Sequence, residues 1–250
     1  MTKNTYDQLD AVPDPLDRPL RVLTIGAHPD DAEFGAGATL ARWASEGTEV
    51  TMCIVTDGSK GSWDPSEDSA DLIERRRREQ EMAASVLGAS RVIHLGHVDG
   101  ELEYTMELRL EIGRQIRIFR PDVVLSHDPW QRYQMHPDHR AAGLAAVDGV
   151  VVAREPRALT DFGEPAHRPS TLLLWSADEP DHAEPISDDW FATKLEALLC
   201  HSSQTVTTMG DAQRGDEERA RFIDRLQDWH RVAGDRFGLG PCETFKRLTP

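Results

Sequence analysis

Two rhythms of apolar and polar positions divide this chain. Short runs dense in Val, Ile, Leu and Thr, at residues 21–25, 49–56, 91–95, 122–126 and 171–175, predict strands. Between them, apolar residues recur three and four apart. Residues 37–46 carry Leu40, Trp43 and Ala44 at helical spacing, and Gly47 ends that run. Residues 72–87 predict a long helix, charged in its first half and small and apolar in its second, stopped by Gly88. Residues 106–119 put Leu108, Ile112, Ile116 and Phe119 on one face, ahead of Pro121. Residues 138–153 predict an alanine-rich helix, 154–170 a surface loop, and 190–200 and 216–231 two further helices.

Alternating strand and helix predicts an α/β class, a Rossmann-like, mostly parallel sheet with helices on both faces. The fourth strand, with Val123-Val124-Leu125, is continuously apolar, as expected where both faces are covered. With the common strand order 3-2-1-4-5, strands one and four are neighbours and the order reverses between them. A ligand crevice then opens at their carboxyl ends. Residues 1–250 are expected to form one domain, with 1–19 as an irregular N-terminal extension.

Composition narrows the partners. A net charge of −16 over 250 residues argues against nucleic acid and against an anionic membrane surface, and favours a small-molecule ligand. No apolar run reaches the length of a membrane span, so no insertion is expected. Cys53, Cys200 and Cys242 show no metal-binding spacing and read as free thiols of a reducing, cytoplasmic setting. Homo-oligomer formation is left open.

The chemistry concentrates in two places. His28-Pro29-Asp30-Asp31 follows the first strand and His136-Pro137-Asp138-His139 follows the fourth. Imidazole with carboxylate is the ligand set of a borderline divalent ion, zinc foremost, with iron(II) as an alternative. The i, i+3 spacing lets His28 and Asp31 face one point, while Asp30 projects elsewhere and stays free to act as a base. The second motif supplies one more ligand, His136 or His139, which leaves a position for water. Taken singly, Asp30, Asp31 and Asp138 are also the residue type that caps helices. Adjacent strands of one sheet turn the two motifs into one metal site.

Those paired motifs resemble the PIG-L/LmbE-like zinc-dependent de-N-acetylase family. Thr56-Asp57-Gly58, the helix Arg76-x-x-Glu79-x-x-x-Ala83-x-x-x-Leu87-Gly88, Val98-Asp99-Gly100-x-Leu102, Ser126-His127-Asp128-Pro129 and Lys194-x-x-Ala197-Leu198-x-x-His201-x-Ser203-Gln204 are similar to its patterns. The resemblance implies His28, Asp31 and His139 as zinc ligands and Asp30 as general base. It implies His136, oriented by Asp138, as the group that stabilises the oxyanion or protonates the leaving amine. Arg76 would contact the sugar, with Asp128 and His201 around the substrate; apart from the resemblance, Trp63 in the glycine- and serine-rich loop after the second strand stands where a sugar face could stack. Gln134 stands where some thiol-precursor deacetylases of the family carry a tyrosine, and Tyr133 is one step further from His136.

Other signals are discounted. Gly35-Ala36-Gly37 lacks the third glycine of a nucleotide fingerprint and reads as close helix–strand packing. His94 and His97 read as surface or core residues, and His167, His182 and His230 as solvated. The expectation is a metal-dependent hydrolase that removes the N-acetyl group from an N-acetylglucosamine-type sugar or glycoside. Its rivals are an amidase of a larger acyl or thiol-conjugate substrate, and a non-catalytic sugar-binding module.

Overall fold

A computed structural model describes residues 14–250. Residues 1–13 of the expected extension lie outside the described residues, and 14–19 carry no helix or strand. The chain runs β1 (Arg21–Gly26), α1 (Asp31–Ser45), β2 (Glu49–Thr56), α2 (Ser69–Leu87), β3 (Arg91–His97), α3 (Met106–Phe119), β4 (Val123–His127), α4 (Pro137–Arg154), β5 (Thr171–Trp175), β6 (His182–Pro185), α5 (Asp188–Leu199), α6 (Asp216–Asp235) and β7 (Cys242–Leu248). The sheet order is β3-β2-β1-β4-β5-β7-β6. β1 to β5 are parallel, in the expected order, and β7 and β6 extend the sheet antiparallel. Those two strands were not expected from the sequence. Among the described residues no helix is long and apolar enough to cross a membrane.

Each face of the sheet buries one apolar cluster. Leu23, Ile25 and Val124 face Ile112, Ile116 and the alanines of α4. Here Gly113 and Gly149 let α3 and α4 approach until a β-carbon on Gly149 would fall 2.6 Å from Ile112. On the other face Val22, Met52 and Leu125 pack against Leu40, Trp43 and Leu87. Every one of these side chains is removed from water, at roughly 25 cal/mol per Å² of apolar surface buried. Cys53 and Cys242 are buried free thiols and Cys200 is half-buried, as their isolation in the sequence implied.

α1 begins six residues earlier than the periodicity predicts, at Asp31 rather than residue 37. The helix is broken at Ala36, whose φ of −150° is not helical. Two buried groups satisfy the break. Glu243 on β7 accepts the N–H groups of Ala38 (3.1 Å) and Thr39 (2.8 Å), capping the second half. Lys194 on α5 donates to the Phe34 carbonyl at 2.8 Å and pairs with Glu243 at 2.7 Å. The first turn, Asp31–Gly35, is thereby freed to tilt towards the strand ends, which is where the chemistry lies.

Candidate metal centre and active site

β1 and β4 end side by side, and the turns that follow them meet. His28 Nδ1 lies 3.2 Å from His139 Nε2 and 3.5 Å from Asp31 Oδ2, and His139 Nε2 lies 3.3 Å from Asp31 Oδ1. Ligand atoms about 2.0–2.1 Å from a tetrahedral ion stand about 3.4 Å apart, so this donor set fits zinc or a similar divalent ion. His28 turns its other nitrogen away: Nε2 is 3.2 Å from Asp138 Oδ2 and 3.1 Å from Asp99 Oδ1. A carboxylate behind a ligating imidazole holds the ring and its tautomer. Burial lowers the affinity of His28 for a proton, yet Asp138, Asp31 and Asp99 outweigh it and raise its pKa well above the ordinary value. In Asp31 burial pushes the carboxyl up, but His139 and His127 win and hold it well below the usual range.

Asp30 occupies the N-cap position of α1 at φ 99°, in the left-handed region that non-glycine residues rarely adopt. Its N–H is held by Gln80 Oε1 at 3.1 Å, and its carbonyl accepts from Phe34 N–H. Gln80 is itself anchored by donating to Glu33 Oε1 at 2.6 Å. The Asp30 side chain makes no capping bond, and its buried Oδ2 has no partner among the described residues. Desolvation raises its pKa to about 6 against the pull of Arg76 and His201. The strained backbone thus separates two adjacent carboxylates, one in the donor set and one outside it.

A cavity of about 580 Å³ opens over these groups, lined by His28, Asp30, Asp31, His136 and His139 with Arg76 and Trp63. His136 precedes α4, its ring stacked on His139 at 4.7 Å between centroids, and its buried Nδ1 is unpartnered among the described residues. Arg76 is the buried member of its arginine run. It donates to the carbonyls of Gly58 (3.0 Å) and Pro29 (2.9 Å), while Arg75, Arg77 and Arg78 pair with glutamates outside. Only glycine suits position 58: φ is +69° and a β-carbon would meet the Arg76 guanidinium at 2.8 Å. Trp63 stands exposed on the rim.

Three expectations need correction. Asp138 does not orient His136; it accepts from Gly100 N–H (2.7 Å) and faces His28, because the loop after β3 reaches under α4. Asp128 lies outside the cavity lining and accepts from Trp130 N–H at 2.9 Å, shaping a turn. His201 is no cavity wall: it is fully buried, 3.5 Å from Glu33, on the protein side of Asp30. His182 and His230 are likewise buried rather than solvated, and His167 is half-buried. Gln134 does line the cavity, whereas Tyr133 is exposed outside it.

Sequence reading gave no role to His127 and Asp99, though both lie in the quoted motifs, and missed Gln80 and Trp175. Asp99, His127 and Trp175 share a signal in their position, because β3, β4 and β5 end at the same edge of the sheet as β1, whereas Gln80 lies within α2. Trp175 sits against Gly35, which confirms close packing there rather than a nucleotide loop.

Residues 23–150 match the family model described as PIG-L, GlcNAc-PI de-N-acetylase. The chain is 36% identical over 187 residues to a diacetylchitobiose deacetylase of Thermococcus kodakarensis, covering 74% of this chain and 70% of that one. It is 26% identical to a probable N-acetyl-alpha-D-glucosaminyl L-malate deacetylase of Bacillus anthracis, over 83% of this chain and 93% of that one. Its fold is similar to that of the N,N'-diacetylchitobiose deacetylase of Pyrococcus horikoshii, with a TM-score of 0.83 and 30% identity over 92% of this chain and 84% of that one. The chain therefore belongs to the PIG-L family, the GlcNAc-PI de-N-acetylases.

Proposed function

We propose that this protein is a zinc-dependent hydrolase that removes the N-acetyl group from an N-acetylglucosamine-type sugar or glycoside. The observation that carries the reading is one cluster: His28 Nδ1 and Asp31 Oδ1 stand 3.2 and 3.3 Å from His139 Nε2, with the unpaired carboxylate of Asp30 beside them at one cavity. His28 Nδ1, Asp31 Oδ1 and His139 Nε2 would hold the metal, His28 being fixed from behind by Asp138 and Asp99. A bound zinc ion supplies Lewis acidity and brings the pKa of a coordinated water to about 7. Asp30, made more basic by its dry surroundings, takes the proton as water attacks the acetyl carbonyl. His136, kept neutral because burial lowers its pKa, would donate a hydrogen bond to the oxyanion from its Nδ1, which has no competing partner among the described residues, and the proton taken by Asp30 would pass to the leaving amine. Acetate and the free amine leave.

Arg76 and Trp63 are the residues we assign to the sugar, the first as hydrogen-bond donor and the second as a face for the ring. The relatives named as acting on diacetylchitobiose and on an N-acetylglucosaminyl malate favour a glycoside over a free monosaccharide. The free thiols, with the lack of a membrane-spanning helix among the described residues, support a cytoplasmic setting.

The test is release of the acyl group as free carboxylate from N-acetylglucosamine, N,N'-diacetylchitobiose and a glucosaminide with a longer acyl chain, before and after treatment with a chelator. Release from the acetyl compounds, lost with the metal and restored by zinc, is expected. Faster release of the longer acyl group would overturn the acetyl assignment. Turnover untouched by chelation would overturn the metal.

A further inference from the structure

His127 is at ligand distance from the donor set, yet its bonding excludes it as a ligand. It ends β4 and pairs in register with Trp175, which ends β5, so both side chains leave the same face of the sheet. The Trp175 indole donates its Nε1–H to His127 Nδ1 at 3.1 Å. An indole nitrogen can only donate, so Nδ1 must offer its lone pair, and the proton of a neutral imidazole then sits on Nε2. His127 Nε2 is 3.0 Å from Asp31 Oδ2 and donates to it. The N–H of Ala27 also approaches Nε2, at 3.4 Å, but competes for a position the proton already fills.

Asp31 Oδ2 therefore receives two donors, His127 Nε2–H and the His28 backbone N–H at 2.7 Å. Its other oxygen, Oδ1, is left pointing at His139 Nε2. We propose that Trp175 and His127 form a positioning pair that selects which oxygen of Asp31 binds the metal, the indole setting the tautomer and the imidazole holding the carboxylate. This inference rests on the metal site proposed above and adds two residues to it. The stacked His127 and His139 rings, 4.2 Å between centroids, leave the pair little freedom to swing.

Zinc affinity, measured by competition with a chromogenic chelator, tests the pair without reference to turnover. His127→Asn keeps an acceptor near Trp175 but cannot reach Asp31, and is expected to weaken zinc binding by about 10–100-fold, the usual effect of losing such a partner. His127→Gln, whose amide nitrogen reaches the Nε2 position, should restore most of that loss. Trp175→Phe should weaken binding by less than His127→Asn, because the imidazole survives with its tautomer released. In the zinc-loaded protein, nitrogen-15 NMR should report His127 as the Nε2–H tautomer, a measurement that needs no variant to fold. Equal zinc affinity in wild type and His127→Asn would overturn the pair. So would no rescue by glutamine, or a His127 spectrum showing a proton on Nδ1 or a metal-bound nitrogen. A wild-type protein that binds no zinc would instead bring down the proposed function, and this inference with it.

Discussion

The ring of Trp175 lies against the α-carbon of Gly35, and a β-carbon built on that glycine would stand 2.5 Å from the indole. The contact joins the tilted first turn of α1 to the end of β5. Gly35→Ala must displace one of them, at a cost of about 1–3 kcal/mol for overpacking. Thermal denaturation should show the lower midpoint, and turnover should fall further than the stability loss explains, because Trp175 also touches His127.

Asp30 and His139 should separate chemistry from metal binding. Asp30→Asn is expected to keep the metal and the fold while turnover drops by about 10²–10⁴-fold, the contribution of a positioned base. His139→Ala should lose the ion itself, and with it the rise in melting temperature that added zinc gives the wild type. Metal content by atomic absorption, set beside acetate release, checks both. An Asp30→Asn protein without metal would reassign that carboxylate as a ligand.

Lys194 and Glu243 are both buried and bonded to the interrupted helix. Burial draws the lysine pKa down, while Lys194 offsets the burial of Glu243 and holds its carboxyl below the ordinary range. Lys194→Met leaves the carboxylate in the interior without its countercharge, held only by the two backbone N–H groups, and about 3–5 kcal/mol of stability should go. Urea unfolding would measure it; an unchanged midpoint would mean that Glu243 finds its partners elsewhere.

His230, packed beside Trp229, has its pKa lowered from 6.5 to about 3, chiefly by burial and then by Lys194. The unfolded chain takes up this proton near pH 6.5 and the folded one refuses it until about 3. Stability contributed by the neutral ring is complete above that window and is lost as pH falls through it, by at most ~1.4 kcal/mol per unit. His230→Asn should flatten this part of the acid limb in denaturation midpoints taken at successive pH values. A parallel limb in the variant would refute the assignment.

What was readable from sequence follows a physical divide. β4 and β5 announced themselves because a parallel strand buried on both faces is apolar nearly throughout, whereas β3, at the sheet edge, was legible from its short apolar run alone. The motifs were readable because local spacing sets where His28 and Asp31 point. α1 was read short because its first turn, Asp31–Gly35, holds acidic residues and glycine instead of an apolar stripe, and its cap comes from Glu243, over two hundred positions away. β7 escaped notice because that same buried glutamate disguises a core strand as a polar one. Asp128 and His201 match family patterns, but a pattern does not say on which side of the backbone a side chain falls.

The cap from Glu243 also sets an order of assembly. On the ribosome, the segment bearing Asp30 and Asp31 emerges early, but the Ala38 and Thr39 N–H groups at the break lack their acceptor until the strand carrying Glu243 has followed. The oldest part of the nascent site must wait for some of the youngest, and long-range closure of this kind is slow.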